Sequence, residues 1–342
     1  MNNMKTMYMG TGEQKRESIY DIIARSIMEM DLPEEEKNQR IAKLMSTKKL
    51  HVNILLAGAT GSGKSSTINA MFNTEVAEVG VGVDPETDSI ECYQLDNLTI
   101  WDTPGLGDGK MEDIKYTQMI ERKLDEKDAN GKPLIDLVLI VLDASSKDLG
   151  TSYRLINEVI IPHMHERAHS QILIGLNQAD VAMKGKHWNA ERNTPDVVLQ
   201  EYLQEKADFV QRRIHSTTGL FLKPVIYCAG YKEEGMEQCK PYNLTKLLYM
   251  IVKSIPADKR LLMADNFNDN EDNWEYDDHE DDYKTEVRKS FLESIGVSIS
   301  EGTDAGSIFG EALLGIPGKG VGFVFGGLIG AVTGFFKAIF HG

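Results

Sequence analysis

Cysteine is nearly absent. Cys92, Cys228 and Cys239 are the only three in 342 residues, and this odd number contains no C-x-x-C pair. A disulfide framework is therefore excluded, and reduced thiols in a cytoplasmic protein are expected. Basic charge is also scarce: 37 Lys and Arg face 53 Asp and Glu, for a net charge of −16. Such a balance argues against general affinity for a nucleic-acid backbone or for anionic lipid. The opening stretch, "MNNMKTMYMGTGEQKRE", lacks an apolar h-region, so no signal peptide is expected. Much of the acidic excess lies in one run, "DNFNDNEDNWEYDDHEDD", residues 265–282. The rest of the chain is only mildly acidic.

The chain is long enough to bury a sizeable core, and 41% of it is hydrophobic. Ile19, Ile22, Ile23, Ile27 and Met30 recur at helical spacing; "DLP" then breaks the pattern, and Ile41, Leu44 and Met45 resume it. From His51 to about Pro256, short β-like apolar runs alternate with helical stretches: "HVNILLAG", "SIECYQL", "LTIWDT", "LIDLVLIVLDA", "QILIGLN" and "KPVIYCAG". This predicts an α/β fold, a mainly parallel sheet with helices on both faces, and ligand loops at the carboxyl ends of the strands. Four regions follow: a helical lead-in over 1–48, an α/β domain over 49–262, an acidic solvated linker over 263–286 and a glycine-rich apolar region over 287–342.

Three strand ends carry chemistry. "GATGSGKSS" runs Gly58, Ala59, Thr60, Gly61, Ser62, Gly63, Lys64, Ser65, Ser66 and matches G-x-x-x-x-G-K-[ST] between a strand and a helix. In that pattern backbone N–H groups wrap nucleotide phosphates at a helix N-terminus, Lys64 reaches the β- and γ-phosphates, and Ser65 holds Mg²⁺. "LTIWDTPGLGDG" delivers Asp102, which can hold the Mg²⁺ water shell, and Gly105, whose N–H can meet the γ-phosphate. "LIGLNQAD" ends in Asn177, Gln178 and Asp180. A carboxylate at Asp180 accepts two hydrogen bonds from guanine that adenine cannot supply, so GTP is expected over ATP.

In this order the three motifs resemble the translation-factor-related class of P-loop GTPases, over roughly residues 50–256. Nearest are the Era-like and septin-like groups, including the 50S ribosome-binding GTPase family, also found among prophage genes, and the immunity-associated GTPases. The resemblance implies a GTPase using GTP/GDP and Mg²⁺, with Cys228, Ala229 and Gly230 as the fifth loop, whose backbone touches the guanine. It also implies that Thr87 is the switch threonine that binds Mg²⁺ and senses the γ-phosphate; Thr74 competes for that role. Three positions depart from family patterns. Gln178 stands where most relatives carry lysine, Leu106 where Ras-like enzymes carry a water-orienting glutamine, and Gly61 where potassium-activated relatives carry asparagine. Without the glutamine, slow hydrolysis raised by self-association of two G domains is expected.

Other candidates are weaker. Asp269 to Glu280 spaces oxygens like a calcium loop, but Trp274 occupies the sixth position, where glycine is needed. His163, His165 and His169 lack cysteine or acidic partners at ligand spacing and read as helix-end residues. His187 and Trp188 are expected either to cap a loop over the base edge or simply to pack.

Near the end of the chain, Gly322, Gly326, Gly330 and Gly334 fall four apart among phenylalanines and aliphatics. Such a stripe suits close backbone approach, as between membrane helices. The uncharged run from Val321 to Phe336 spans about 24 Å, short of the roughly 30 Å hydrocarbon layer. Two expectations follow for residues 305–340: membrane association at the inner face, or docking on the protein's own G domain. The functional expectation is a switch in which GTP state controls pairing and the tail. The alternatives are a ribosome-associated assembly GTPase and a septin-like scaffold with little hydrolysis. Direct nucleic-acid contact is not expected.

Overall fold

The "VNILLAG" run forms β1 (Val52–Gly58), and all seven of its residues are buried, as the central strand of a two-faced sheet requires. The computed structural model describes residues 16–74, 78–81, 90–107, 109–230, 239–299 and 321–340. In chain order the elements are α1 (Ile19–Met28), α2 (Glu34–Thr47), β1, α3 (Lys64–Met71), β2 (Glu78–Val81), β3 (Glu91–Leu95), β4 (Leu98–Asp102) and α4 (Lys110–Asp125). Next come β5 (Leu137–Asp143), α5 (Gly150–Arg154), a π-helical turn (Leu155–Ile160), α6 (Ile161–Met164), β6 (Ile172–Asn177) and a small hairpin, β7 (Trp188–Asn189) and β8 (Thr194–Pro195). The chain continues with α7 (Val197–Thr218), β9 (Val225–Ile226), α8 (Leu244–Ser254), α9 (Tyr283–Ile299) and α10 (Val321–Phe340).

The main sheet has the order β2-β3-β4-β1-β5-β6-β9. Strands β4, β1, β5, β6 and β9 pair in parallel, while β3 runs antiparallel to both β2 and β4. Alternation along each strand separates two cores. Ile54, Leu56, Leu137, Leu139 and Val141 join one cluster, and Leu55, Ala57, Val138, Ile140 and Leu142 join the other. The second cluster packs under α5, the π-helical turn and α7. This is the expected three-layer α/β architecture.

The first cluster gathers both ends of the chain. Ile19, Ile23 and Ile27 of α1, Phe291 and Ile295 of α9, and Val332 and Phe336 of α10 lie in the same apolar core as β1. The four-part division read from composition therefore does not appear as separate cores.

The acidic stretch is not a solvated linker. Phe267 and Trp274 are fully buried, Asn273 and Asp277 are buried, and the Asp278 carboxylate meets Lys246 Nζ at 2.6 Å. Composition misleads here because the acidic side chains alternate with aromatic and amide groups that turn inward.

The tail also differs from a membrane span. Helix α10 buries Leu328, Val332, Phe335, Phe336, Ile339 and Phe340 on its own body. Gly326, Gly327, Gly330 and Gly334 face outward, and a Cβ added at any of them would meet nothing within 4 Å. Among the described residues no helix is long and apolar enough to cross a membrane. Docking on protein is what the structure displays, but the direct partners of α10 are α1, α9 and the 271–274 turn rather than the 49–262 G domain that was expected. No close backbone approach among the described residues uses the glycine stripe.

Candidate functional site

The strands β4, β1, β5 and β6 bring their carboxyl ends to one edge, and the expected motif residues converge there. Strand β1 ends at Gly58, and the loop to Gly63 leads straight into α3. Two glycines in it are dictated by space. A Cβ at Gly58 would lie 2.3 Å from the Val141 carbonyl oxygen, and one at Gly63 would lie 2.2 Å from Asn177 Nδ2. Gly63 also has φ 88°, a left-handed value that L side chains rarely adopt.

Several of the loop's polar groups are engaged by the protein itself. Lys64 Nζ donates to the Gly58 and Ala59 carbonyls at 3.4 and 3.3 Å. The Thr60 amide donates to the Leu106 carbonyl at 3.1 Å, and the Leu106 amide to Gly58 at 3.3 Å. Gly105 packs directly on Thr60: a Cβ there would fall 2.5 Å from the Thr60 amide nitrogen. The "DTPGL" turn thus lies against the phosphate loop, at the place where the triphosphate end of a nucleotide is expected.

Ser65 Oγ donates to Asp102 Oδ2 at 2.7 Å. The other oxygen, Asp102 Oδ1, is buried without a hydrogen-bond partner, as is Ser62 Oγ. An orphaned buried carboxylate oxygen beside a hydroxyl is a hard-oxygen pair, and these residues fit Mg²⁺. Burial pushes the Asp102 carboxyl above the usual carboxylate range; the Ser65 hydrogen bond and the Lys64 charge oppose that push. The folded state holds this proton more tightly than the unfolded state, so stability falls as pH rises through the raised value and stays low above it. Asp102→Asn is therefore expected to stabilise the nucleotide-free protein at pH 7 by about 1 kcal/mol in urea titration, while weakening Mg²⁺-dependent nucleotide binding. A destabilised nucleotide-free variant would contradict this.

On the side where the guanine is expected, Asn177 acts as a bolt. Its Nδ2 donates to the Ser62 carbonyl at 2.9 Å, and its Oδ1 accepts from the Ala229 amide at 3.0 Å. Gln178 has φ 64°, and its amide donates to the Gly61 carbonyl at 2.6 Å. Burial first, then the Asp180 carboxylate, pushes the Cys228 thiol well above its ordinary value. Gly230, with φ 75°, lies so close to the Cys239 carbonyl that a Cβ would sit 2.4 Å from it. Gly63, Lys64, Ser65, Asp102, Gly105, Asn177, Gln178, Asp180 and the Cys228–Gly230 loop therefore share one edge.

Thr87 lies outside the described residues. The competing threonine, Thr74, donates its hydroxyl to Asn69 Oδ1 at 2.7 Å, beyond the far end of α3 from the phosphate loop. Trp188 packs edge-on against Tyr242 at 5.4 Å, and Asn193 Nδ2 bonds the Lys240 and Pro241 carbonyls, tying the β7–β8 hairpin to the guanine-side loop. His163 pairs with Asp125 at the end of α4, and among the described residues no cluster of three or more His, Cys, Asp or Glu side chains could hold a metal.

Sequence reasoning missed the binding of both loops to Asn177 and the asparagines at 266, 268 and 273, which bond to the end of α3. Their signal was the asparagine content of "ADNFNDNEDN", since short amides cap backbone groups more readily than they serve as solvated spacers.

A family model described as 50S ribosome-binding GTPase matches residues 53–178. GTPase Der of Sulfurimonas denitrificans is 30% identical over 170 residues, covering 48% of this chain and 30% of that protein. The probable GTP-binding protein EngB of Lactococcus lactis is 31% identical over 140 residues, covering 40% and 66%. The uncharacterized protein YfjP of Escherichia coli is 29% identical over 130 residues, covering 37% and 41%. The chain thus spans between 30% and 66% of the length of these relatives. Among solved structures, the G domain of the T. maritima FeoB iron transporter is 19% identical, covers 60% of this chain and 98% of that one, and gives a TM-score of 0.33. A dimerization-deficient Toc33 mutant from Arabidopsis thaliana is 15% identical, covers 71% and 98%, and gives 0.39. The fold assignment itself rests on strand order and the phosphate loop. With its loops converged on one sheet edge and residues 53–178 matching a family model described as 50S ribosome-binding GTPase, the chain carries a P-loop GTPase domain.

Proposed function

We propose that this protein is a GTP-hydrolysing switch whose turnover depends on pairing of two G domains and whose nucleotide state governs the seating of α10. The observation that carries the pairing is the position of Leu106. Its side chain is 4% exposed and lies in the core with Ile140 and Tyr153. An apolar group turned inward cannot orient an attacking water, so that group must come from elsewhere, and a second copy is the simplest source. In this reading Lys64 and the amides of the phosphate loop bind the phosphates, the Gly105 amide meets the γ-phosphate, Thr87 senses it, and Asp180 selects guanine. Ser65, Asp102 and Thr87 would hold Mg²⁺, which when bound neutralises charge on the phosphates.

Single-turnover GTP hydrolysis is expected to speed up with protein concentration, by tenfold or more between dilute and saturating protein. A rate constant that is fast and independent of concentration would remove the pairing.

The tail reading is supported by the two faces of α10, one seated on the core and one glycine-lined and open. Each large apolar side chain it buries stabilises docking by roughly 1.5–3 kcal/mol. Six of them together exceed the roughly 1–3 kcal/mol that coupling to a nucleotide supplies. Nucleotide alone therefore loosens the helix without freeing it, and full release needs an apolar acceptor, for which we propose a membrane surface. Flotation of the full chain with liposomes is expected only with a non-hydrolysable GTP analogue. Flotation that is equal in GDP, or absent in every state, rejects the membrane.

The description of the matching family favours a second reading, a ribosome-associated GTPase in which the tail docks on protein. Co-sedimentation with ribosomes in the GTP-analogue state, with no flotation, would select it.

A further inference from the structure

The first seat of the nucleotide phosphates is the N-terminus of α3, and the C-terminus of that helix is held in an unusual way. A helix leaves its last carbonyls without intrahelical partners. Here those carbonyls are capped by a strap some 200 residues later in the chain. Asn268 Nδ2 donates to the Asn69 carbonyl at 2.8 Å, Asn273 Nδ2 to Ala70 at 3.0 Å, and the Asn268 amide to Met71 at 3.0 Å. The Asn73 amide donates back to the Asn266 carbonyl at 3.0 Å, and Phe72 and Phe267 form an antiparallel bridge. Asp269 accepts from Asn73 Nδ2 at 3.0 Å and from Arg16 at 2.6 Å.

Further along, the same strap grips the guanine side. The Asn243 amide donates to the Tyr276 carbonyl at 2.9 Å, and the Asp278 amide to Asn243 Oδ1 at 2.8 Å. Next to Asn243, Tyr242 exchanges both backbone hydrogen bonds with Cys228 of the guanine loop.

On its other side the strap seats the tail. Trp274, adjacent to the capping Asn273, packs edge-on against Phe340 of α10 with ring centroids 5.6 Å apart. Phe267 packs on Phe291 at 5.8 Å, and Phe291 stacks on Phe336 of α10 at 4.7 Å. Neighbouring residues of one short segment thus hold the phosphate helix with their amides and the tail helix with their rings.

We propose that residues 266–278 are the element through which nucleotide occupancy sets the seating of α10. Closing the phosphate loop on a triphosphate pulls on α3 as a rigid rod; its capped end moves the strap, and the strap carries Trp274 under Phe340. The proposal rests on guanine-nucleotide binding at the site described above, and adds the route and its reciprocity. A coupling free energy acts equally in both directions, so the tail must also bias nucleotide choice.

The test uses the full chain. Amide hydrogen exchange over residues 326–340 is followed by mass spectrometry without nucleotide, with GDP, and with a non-hydrolysable GTP analogue and Mg²⁺. Exchange is expected to differ at least fivefold between the nucleotide-free and GTP-analogue states, the lower end of the roughly 5–150-fold range of such couplings. In the double variant Asn268→Ala/Asn273→Ala the difference is expected to fall below twofold while calorimetry still detects guanine nucleotide. Should that variant fail to fold, Asp269→Asn, at a half-exposed side chain, cuts the Arg16–Asp269–Asn73 link and should at least halve the difference. In the other direction, Phe340→Ala should change the ratio of GTP-analogue to GDP affinity threefold or more. A protein that binds guanine nucleotides with unchanged exchange in α10, or a capping variant that keeps the full difference, overturns the coupling alone. A protein with no calorimetric response to guanine nucleotides overturns the site and the coupling together.

Discussion

Gly63→Ala is expected to lower affinity for guanine nucleotides about 100-fold or more. Gly63 sits at φ 88°, and its missing side chain leaves room for Asn177, whose Nδ2 would be 2.2 Å from an added Cβ. The left-handed backbone costs about 1–2 kcal/mol for a residue with a Cβ. Displacing Asn177 breaks its bonds to the Ser62 carbonyl and the Ala229 amide, and each buried group left unpaired costs about 1–3 kcal/mol. Together these terms amount to roughly 3–8 kcal/mol, and every 1.4 kcal/mol is about tenfold in affinity. Gly61→Ala provides the control. Gly61 has φ 77°, but a Cβ there would meet nothing within 4 Å, so only the backbone term of about 1–2 kcal/mol applies. Isothermal titration of both variants with GDP and a GTP analogue should separate them by about tenfold or more. Equal losses would show that the contact with Asn177 does not matter.

The second large effect concerns stability. Trp274→Ala is expected to cost about 3–5 kcal/mol in urea or thermal unfolding, the range for emptying a fully buried aromatic site. Trp274 is 0% exposed, its ring meets Phe267 and Phe340, and its Nε1 donates to the Asn268 carbonyl at 2.9 Å. Asp281→Ala, seven residues on at an exposed position, should stay within about 0.5 kcal/mol of the parent. Were the acidic stretch a solvated spacer, the two variants would behave alike.

The same pair of residues explains why one part of the chain was legible and another was not. Asp281 looks like its neighbours in composition, and nothing local to "DNEDNWEYDD" says that Trp274 reaches a phenylalanine 66 residues away. Net charge along a run describes the average side chain, whereas burial is decided by the few that turn inward. The tail was ambiguous for a related reason. A glycine stripe and an aromatic face are compatible with lipid, with a second helix or with the protein's own core, and the choice depends on whether α1 and α9 leave a seat for Phe335 and Phe336. At Leu106 the residue type already removed the glutamine's chemistry, but only the fold showed that the side chain is buried in the apolar core.

By itself the sequence determined the α/β alternation and the strand-end positions of the Gly58–Ser65 loop, Asp102 and the Asn177, Gln178 and Asp180 triplet, whose nucleotide-binding roles it sets as expectations. It could do so because these features are set by local spacing: a strand's period of two, a glycine where φ is positive, a helix N-terminus directly after the loop. Tertiary structure alone decided that Asn177 ties two loops, that strap asparagines cap the phosphate helix, and that α10 turns its rings inward. The physical reason is that the amides concerned bond to main-chain groups, which every residue carries and no side-chain pattern identifies; which chain segment meets them is settled only when distant segments share a core.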